Sequence, residues 1–245
     1  MKNVQETLLA LTKSRFFVEN PNQEERPRPA GIHASEVSKC MRRMAYTITG
    51  TERVRKVPAV WYRRLRAGQM SHDMLQEQLA AWAKRIGADH GTVTFEAEVP
   101  IHPGIGGLAA KWNIYSHADG VISLGGYKVV VEIKSKSDGE YSKMTKPEVD
   151  HVEQAHVYMA CLGVQHTWFI YYNKSNQNYT APEPPYFIDF DPKVWASLEE
   201  RFEKVLATIA EGNLPQRTEG IYCEFCSYGH TCEPQYLLRK RSWTK

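Results

Sequence analysis

The sequence predicts an α/β fold. A long helical pattern over residues 59–85 gives way to strand-like alternation, and a second helical pattern over 146–162 leads into another strand-like run. The dipeptide Gly125-Gly126 lies between two strand-like stretches and marks a two-residue hairpin, because both central positions of the favoured turn need positive φ. The chain has 245 residues, 42% of them hydrophobic and 11% aromatic, enough to build a core and to exclude disorder for most of its length.

Taken in order, residues 1–34 read as a short N-terminal helix and an extended linker with Pro21, Pro27 and Pro29. Residues 35–213 read as the main body, with a basic helical segment over 40–86. Val37, Met41, Met44 and Ile48 have helical spacing, with Ser35 as the N-cap. The helix over 59–85 has a stripe of Leu65, Met70, Met74, Leu75, Leu79 and Trp82; a break is expected near Gly68 and a stop at Gly87. Val93, Phe95, Ala97 and Val99 alternate as in an antiparallel strand. The hairpin strands span Ile114 to Leu124 and Tyr127 to Ser135. Thr145 and Glu148 have capping-box spacing for the helix over 146–162, Pro147 lies in its first turn, and Gly163 fits its stop. A strand over 164–173, a polar loop over 173–185 and a helix over 195–209 follow, before a cysteine-bearing segment over 214–245.

No run approaches the ~20 apolar residues of a membrane span, and the N-terminus has no signal-peptide core. A cytoplasmic setting in a bacterial, archaeal or phage-infected cell is expected. Five cysteines, four of them in a ligand-like pattern, fit metal ligation under reducing conditions better than disulfides.

The hairpin carries the chemistry. A two-residue loop pairs Leu124 with Tyr127, so Asp119 is expected opposite Glu132, and His117 opposite Lys134. Like charges directly opposed in a ladder are destabilising. Asp119, Glu132 and Lys134 share one face, and Val129, Val131 and Ile133 the other. Two carboxylates beside an ammonium suit a hard divalent cation such as Mg2+ or Mn2+, which lowers the pKa of its bound water; the lysine orients that water or stabilises charge developing on phosphorus. A surface salt-bridge cluster is the plainer alternative. On the next helix His151, Gln154 and Tyr158 lie on one face, as a brace for the site or as a solvated stripe.

Asp119, Glu132-x-Lys134 and Gln154-x-x-x-Tyr158, preceded by Gly68-x-x-x-His72, resemble the motif series of the PD-(D/E)xK nuclease superfamily, in particular its RecB-like and Cas4-like branch. The resemblance implies a restriction-endonuclease-like core, a mixed central sheet flanked by helices. It also implies His72, Asp119, Glu132 and the Ile133 carbonyl as metal ligands, Lys134 as catalytic lysine, and Gln154 and Tyr158 as residues that place DNA or the water.

Cys223-x-x-Cys226-x5-Cys232, with Cys40 far upstream, is similar to the iron-sulfur clasp of Cas4-like and AddB-like nucleases. Four thiolates suit a [4Fe-4S] cluster or tetrahedral zinc, and a cluster would join the N- and C-terminal segments. Cys223, Cys226, His230 and Cys232 form a rival zinc set, and Cys161 reads as a core residue.

The formal net charge of +3 is mild, but the bases are clustered. Arg42, Arg43, Arg53, Arg55, Lys56, Arg63, Arg64 and Arg66 stand against the single acid Glu52, a local charge of +7. Tyr46, Trp61 and Tyr62 are interleaved for stacking on bases, as in single-stranded nucleic-acid binding, and Arg239-Lys240-Arg241 extends the basic character. The expected function is a metal-dependent DNA nuclease acting as an exonuclease on single-stranded or duplex ends, in replication, recombination, repair or CRISPR adaptation. The alternative is a catalytically weak DNA-binding or scaffold subunit with a structural iron-sulfur or zinc site.

Overall fold

Five strands form one sheet in the computed structural model, which describes residues 28–53, 59–90, 92–178, 186–220, 223 and 226–232, the side chains of 59–62 and 88–90 excepted. The order is β1 (Val93–Ile101), β2 (Ser116–Leu124), β3 (Tyr127–Lys136), β4 (His166–Asn173), β5 (Tyr186–Asp189). β3 and β4 run parallel and the other neighbours antiparallel, so the sheet is mixed. A parallel pair needs a crossover, here through α4 (Asp138–Tyr141) and α5 (Val149–Leu162). The remaining helices are α1 (Met41–Ile48), α2 (Ala59–His90), α3 (Gly107–Lys111), α6 (Pro192–Ala210) and α7 (Gly229–Cys232).

Strand alternation sends consecutive β3 residues to opposite layers. Val131 and Ile133 join Val93, Ile122, Ile170 and Tyr172 against Leu75, Leu79 and Ala83 of α2. Val130 joins Ala118, Val121 and residues of α1, α3, α5 and α6 on the other face. Helices therefore cover both faces. Truncating a fully packed leucine such as Leu75 to alanine costs about 2–5 kcal/mol, which sets the scale of each anchor.

The chain divides into two compact units. One comprises Pro29–Gly50 and Met70–Thr218 and holds the sheet; the other comprises Met1–Arg28, Thr51–Gln69 and Glu219–Lys245. In the first, Ile32 bridges to Ile114 and is buried with Ala34, so the end of the expected linker is core. Within the second, Ser227 and Tyr228 are buried beside α7.

Several local expectations change. The segment 35–48 is a 3-10 turn, Ala34–Glu36, followed by α1, with Cys40 rather than Ser35 at the N-cap. α2 runs unbroken through Gly68 and Gly87. At Gly87 a Cβ would lie 3.2 Å from the Val93 carbonyl oxygen, so that glycine serves close packing against β1 rather than a stop. Leu65, Met70 and Trp82 are exposed, and the buried stripe is Leu75, Leu79 and Ala83. α5 starts at Val149 with Glu148 at its N-cap; Glu148 pairs with Lys136 instead of closing a capping box. Gly163 ends the helix at φ 66, as expected. β5 was not expected. The N-terminal helix, most of the 173–185 loop and the Arg239–Arg241 tail lie outside the described residues.

Candidate active site

The hairpin turns at Gly125 (φ 54) and Gly126 (φ 92), and its ladder runs from Leu124↔Tyr127 to Gly120↔Val131. It stops one pair short of Asp119 and Glu132. β3 continues in register with β4 from Val129↔His166 to Lys136↔Asn173, while β2 continues with β1 to Ile101↔Ser116. The direct opposition of Asp119 to Glu132 and of His117 to Lys134 is therefore replaced by a splayed end; His117 is exposed and pairs with Pro100. Repulsion between the two carboxylates opposes zipping at that point.

Asp119 reaches across the gap with its side chain. Its Oδ2 accepts the Ile133 N–H at 2.7 Å, and its Oδ1 lies 3.5 Å from His72 Nδ1. The hydrogen bond and charge of Asp119 outweigh burial and hold His72 above its ordinary pKa. Glu132 is fully buried. Lys134 Nζ forms an ion pair with Glu132 Oε1 at 2.5 Å, and Oε2 is left without a hydrogen-bond partner. Burial, reinforced by Asp119, pushes the Glu132 carboxyl up to about 7. For Lys134 burial acts downward, but the charges of Glu132 and Asp119 prevail and raise its pKa.

α5 supplies the brace. Lys134 Nζ donates to Gln154 Oε1 at 3.2 Å, and Gln154 Nε2 donates to the Tyr158 hydroxyl at 2.5 Å. An ammonium only donates, so this contact fixes which end of the amide faces it. Burial, then the charges of Glu132 and Asp119, keep Tyr158 a neutral phenol. His151 is set apart from this chain: its Nδ1 lies 2.9 Å from the Tyr171 hydroxyl and its Nε2 lies 3.4 Å from Glu148. The Tyr171 hydroxyl also accepts the Glu148 N–H at 3.4 Å. Burial and nearby lysines push His151 down to about 3.

His72, Asp119, Glu132, Lys134, Gln154 and Tyr158 are thus joined around the splayed end, and the Ile133 backbone lies between the two carboxylates. Two further residues were not singled out from the sequence. Gln76 bonds the Asp119 carbonyl oxygen and is itself bonded to Glu98, and the only signal for Gln76 was its position four residues after His72 on the same helix face. Two carboxylates, an imidazole and a backbone carbonyl form an oxygen-rich donor set, and the buried Glu132 oxygen that Lys134 leaves without a partner fits a hard divalent cation. Among the described residues no three His, Cys, Asp or Glu side chains already stand in ligand geometry around a common point. Lys134 is ion-paired with Glu132, and His72 lies against Asp119.

The basic cluster separates into parts. Arg43 is bonded to buried Glu36 at 3.0 Å, and Arg42 Nε donates to the Pro215 carbonyl at 2.7 Å, so both serve local structure. Tyr46 is buried and is not a stacking platform. Arg63, Arg64 and Arg66 are exposed on α2, and Arg53 lies just before it. Arg55, Lys56 and the side chains of Trp61 and Tyr62 lie outside the described residues.

None of Cys40, Cys161, Cys223, Cys226 and Cys232 forms a disulfide among the described residues. Burial pushes Cys161 up to about 12, as for an inert core thiol. For Cys40 burial acts upward, but the N–H groups of Thr218, Arg43 and Arg42 prevail and lower its pKa. Cys223, Cys226 and Cys232 lie along consecutive turns, with the Cys226 N–H bonded to Cys223 O and the Cys232 N–H to Tyr228 O. His230 Nδ1 in the same segment is buried without a hydrogen-bond partner. Among the described residues no helix is long and apolar enough to cross a membrane.

A family model described as the PD-(D/E)XK nuclease superfamily matches residues 11–233. The fold is similar to that in the crystal structure of SSO0001, with a TM-score of 0.50 and 17% identity, covering 94% of this chain and 97% of that one. The alkaline exonuclease LHK-Exo from Laribacter hongkongensis aligns with a TM-score of 0.48 and 20% identity, covering 88% and 95%. A phage-related exonuclease from Haemophilus somnus 129PT aligns at 0.44 and 13%, covering 76% and 98%. No curated protein matches the chain.

Proposed function

The chain belongs to the PD-(D/E)XK nuclease superfamily, and from that premise we propose that it is a divalent-metal-dependent deoxyribonuclease that works as an exonuclease on DNA ends. Nucleases of this superfamily generally use Mg2+ or Mn2+. The observation that carries the reading is the splayed hairpin end, where Asp119, Glu132 and Lys134 meet around the Ile133 backbone with His72 alongside.

His72, Asp119, Glu132 and the Ile133 carbonyl would hold the cation. When bound it supplies Lewis acidity toward phosphate oxygens and water. The chain's own residues do the rest. The Ile133 N–H fixes one Asp119 oxygen and leaves the other facing His72. Burial keeps Glu132 free of competing donors other than Lys134. Lys134, held as an ammonium between Glu132 and Gln154, orients the attacking water and stabilises negative charge developing on the phosphate. Tyr158 fixes Gln154 in turn. Exposed Arg63, Arg64 and Arg66 bind DNA phosphates. Gln154-x-x-x-Tyr158 and Gly68-x-x-x-His72 support placement in the RecB-like, Cas4-like branch, and with it a role in DNA replication, recombination, repair or CRISPR adaptation.

The same reading gives Cys40, Cys223, Cys226 and Cys232 an iron-sulfur cluster; the support is the spacing of four cysteines outside any disulfide and the lowered pKa of Cys40. A zinc site of Cys223, Cys226, Cys232 and His230 is the second reading, favoured by the buried His230 Nδ1 that lacks a partner. Visible absorbance and metal content of anaerobically purified protein decide between them: a colourless protein with stoichiometric zinc selects the second.

Cleavage of DNA labelled separately at each end, single- and double-stranded, with Mg2+ or Mn2+, tests the enzyme assignment. Metal-dependent loss of label by the wild type but not by Asp119→Ala is expected. Retained binding without cleavage by the wild type would move the assignment to a DNA-binding subunit.

A further inference from the structure

α2 meets Asp119 twice. His72 faces its carboxylate, and one turn later Gln76, itself buried, bonds its main chain. Gln76 Nε2 donates to the Asp119 carbonyl oxygen at 2.8 Å and to Glu98 Oε1 at 2.8 Å. Both partners only accept, so the two protons of that amide nitrogen are both committed and its orientation is fixed.

The need for this strap lies in the sheet. β1 and β2 pair at Ala97↔Gly120 and at Val99↔Ala118, but the ladder skips the pair between them, Glu98 and Asp119. Glu98 has φ 51, a left-handed conformation rare for a residue with a side chain, which takes its peptide out of the ladder. On its other side Asp119 lies beyond the last β2–β3 pair. The residue that carries a carboxylate of the site therefore has no ladder partner on either neighbouring strand. We infer that Gln76, anchored by Glu98, is the positioning residue that holds the Asp119 backbone so that its carboxylate stays between His72 and the Ile133 N–H, and that it thereby sets the affinity for the divalent cation. This rests on the proposed metal-dependent site.

The test measures Mn2+ binding to the full chain by electron paramagnetic resonance, and DNA cleavage as Mn2+ is raised, for the wild type, Gln76→Leu, Glu98→Ala, Asp119→Ala and Gln78→Leu. Gln76→Leu is expected to weaken Mn2+ binding about ten-fold, with cleavage recovering to within about three-fold of wild type at saturating metal. Glu98→Ala, which changes no core volume, is expected to weaken binding about three-fold in the same pattern. Gln78→Leu, exposed on the same helix, leaves binding unchanged. If Gln76→Leu fails to fold, Glu98→Ala carries the test. Wild-type Mn2+ affinity in a folded Gln76→Leu or in Glu98→Ala, with Asp119→Ala impaired, overturns the inference alone. Wild-type affinity in Asp119→Ala overturns the site reading and the inference with it.

Discussion

Asp119 Oδ2 accepts the Ile133 N–H at 2.7 Å across the point where β2 and β3 part. A side chain thus takes the Ile133 donor that a continued ladder would have paired with β2. The backbone donor of Ile133 is satisfied, and the strands stay open for the groups that follow.

Lys134→Ala is expected to lower kcat by about 10²–10³-fold, the usual scale for removing a group that stabilises charge developing at the reacting centre. DNA affinity and the circular dichroism spectrum are expected to change little, because Lys134 is half-buried at the sheet's open end. Single-turnover cleavage at saturating metal checks this; a variant that cuts at the wild-type rate removes Lys134 from the chemistry.

Glu132 gives the metal-free protein a pH dependence. Its folded pKa is raised to about 7, so the folded state holds the proton more tightly than the unfolded chain does. Its contribution to stability is therefore complete below the ordinary carboxyl pKa and is lost as pH rises through about 7. Glu132→Gln cannot titrate, so its denaturation midpoint is expected to fall less than that of the wild type between pH 5 and pH 8, in chelator. Parallel profiles for the two proteins would contradict the assignment.

His151 acts in the opposite sense. Its pKa is depressed to about 3, so its contribution is present above the ordinary imidazole value and is lost as pH falls toward about 3. His151→Gln is expected to flatten the acid side of the stability profile. Tyr171→Phe removes the hydroxyl that bonds His151 Nδ1 and is expected to cost about 1 kcal/mol, read from urea denaturation at neutral pH.

Two groups of arginines are expected to respond differently. Replacing Arg63 and Arg66 together by alanine weakens DNA binding and reduces the salt slope by about 0.7–0.9 for each phosphate that is no longer neutralised, with little change in stability. Arg43→Ala leaves buried Glu36 without its cation and costs on the order of 3 kcal/mol of stability. Salt titrations of binding and denaturant melts separate the two effects.

The period-2 and helical patterns made β1 to β4, α2, α5 and α6 legible, because each buries a face whose spacing is written locally. Gly125-Gly126 set the hairpin register, and that register holds from Leu124↔Tyr127 to Gly120↔Val131. Gly68 and Gly87 misled because a glycine weakens a helix without ending it when tertiary packing favours continuity. Gln76 looked like any polar helix residue, and nothing local marks Glu98 for a positive φ.

The α/β class, the hairpin and the assignment of Asp119, Glu132, Lys134, Gln154 and Tyr158 to their elements are legible locally, since spacing and turn chemistry are properties of the chain. The stop of the hairpin before its carboxylates, the pairing of Arg43 with buried Glu36, the burial of Tyr46 and the grip of α2 on both the side chain and the main chain of Asp119 come from the packed molecule. Those outcomes depend on β3 pairing with β4 and on α2 packing against the sheet. Both are contacts between segments distant in the chain, whose free energy no local pattern encodes.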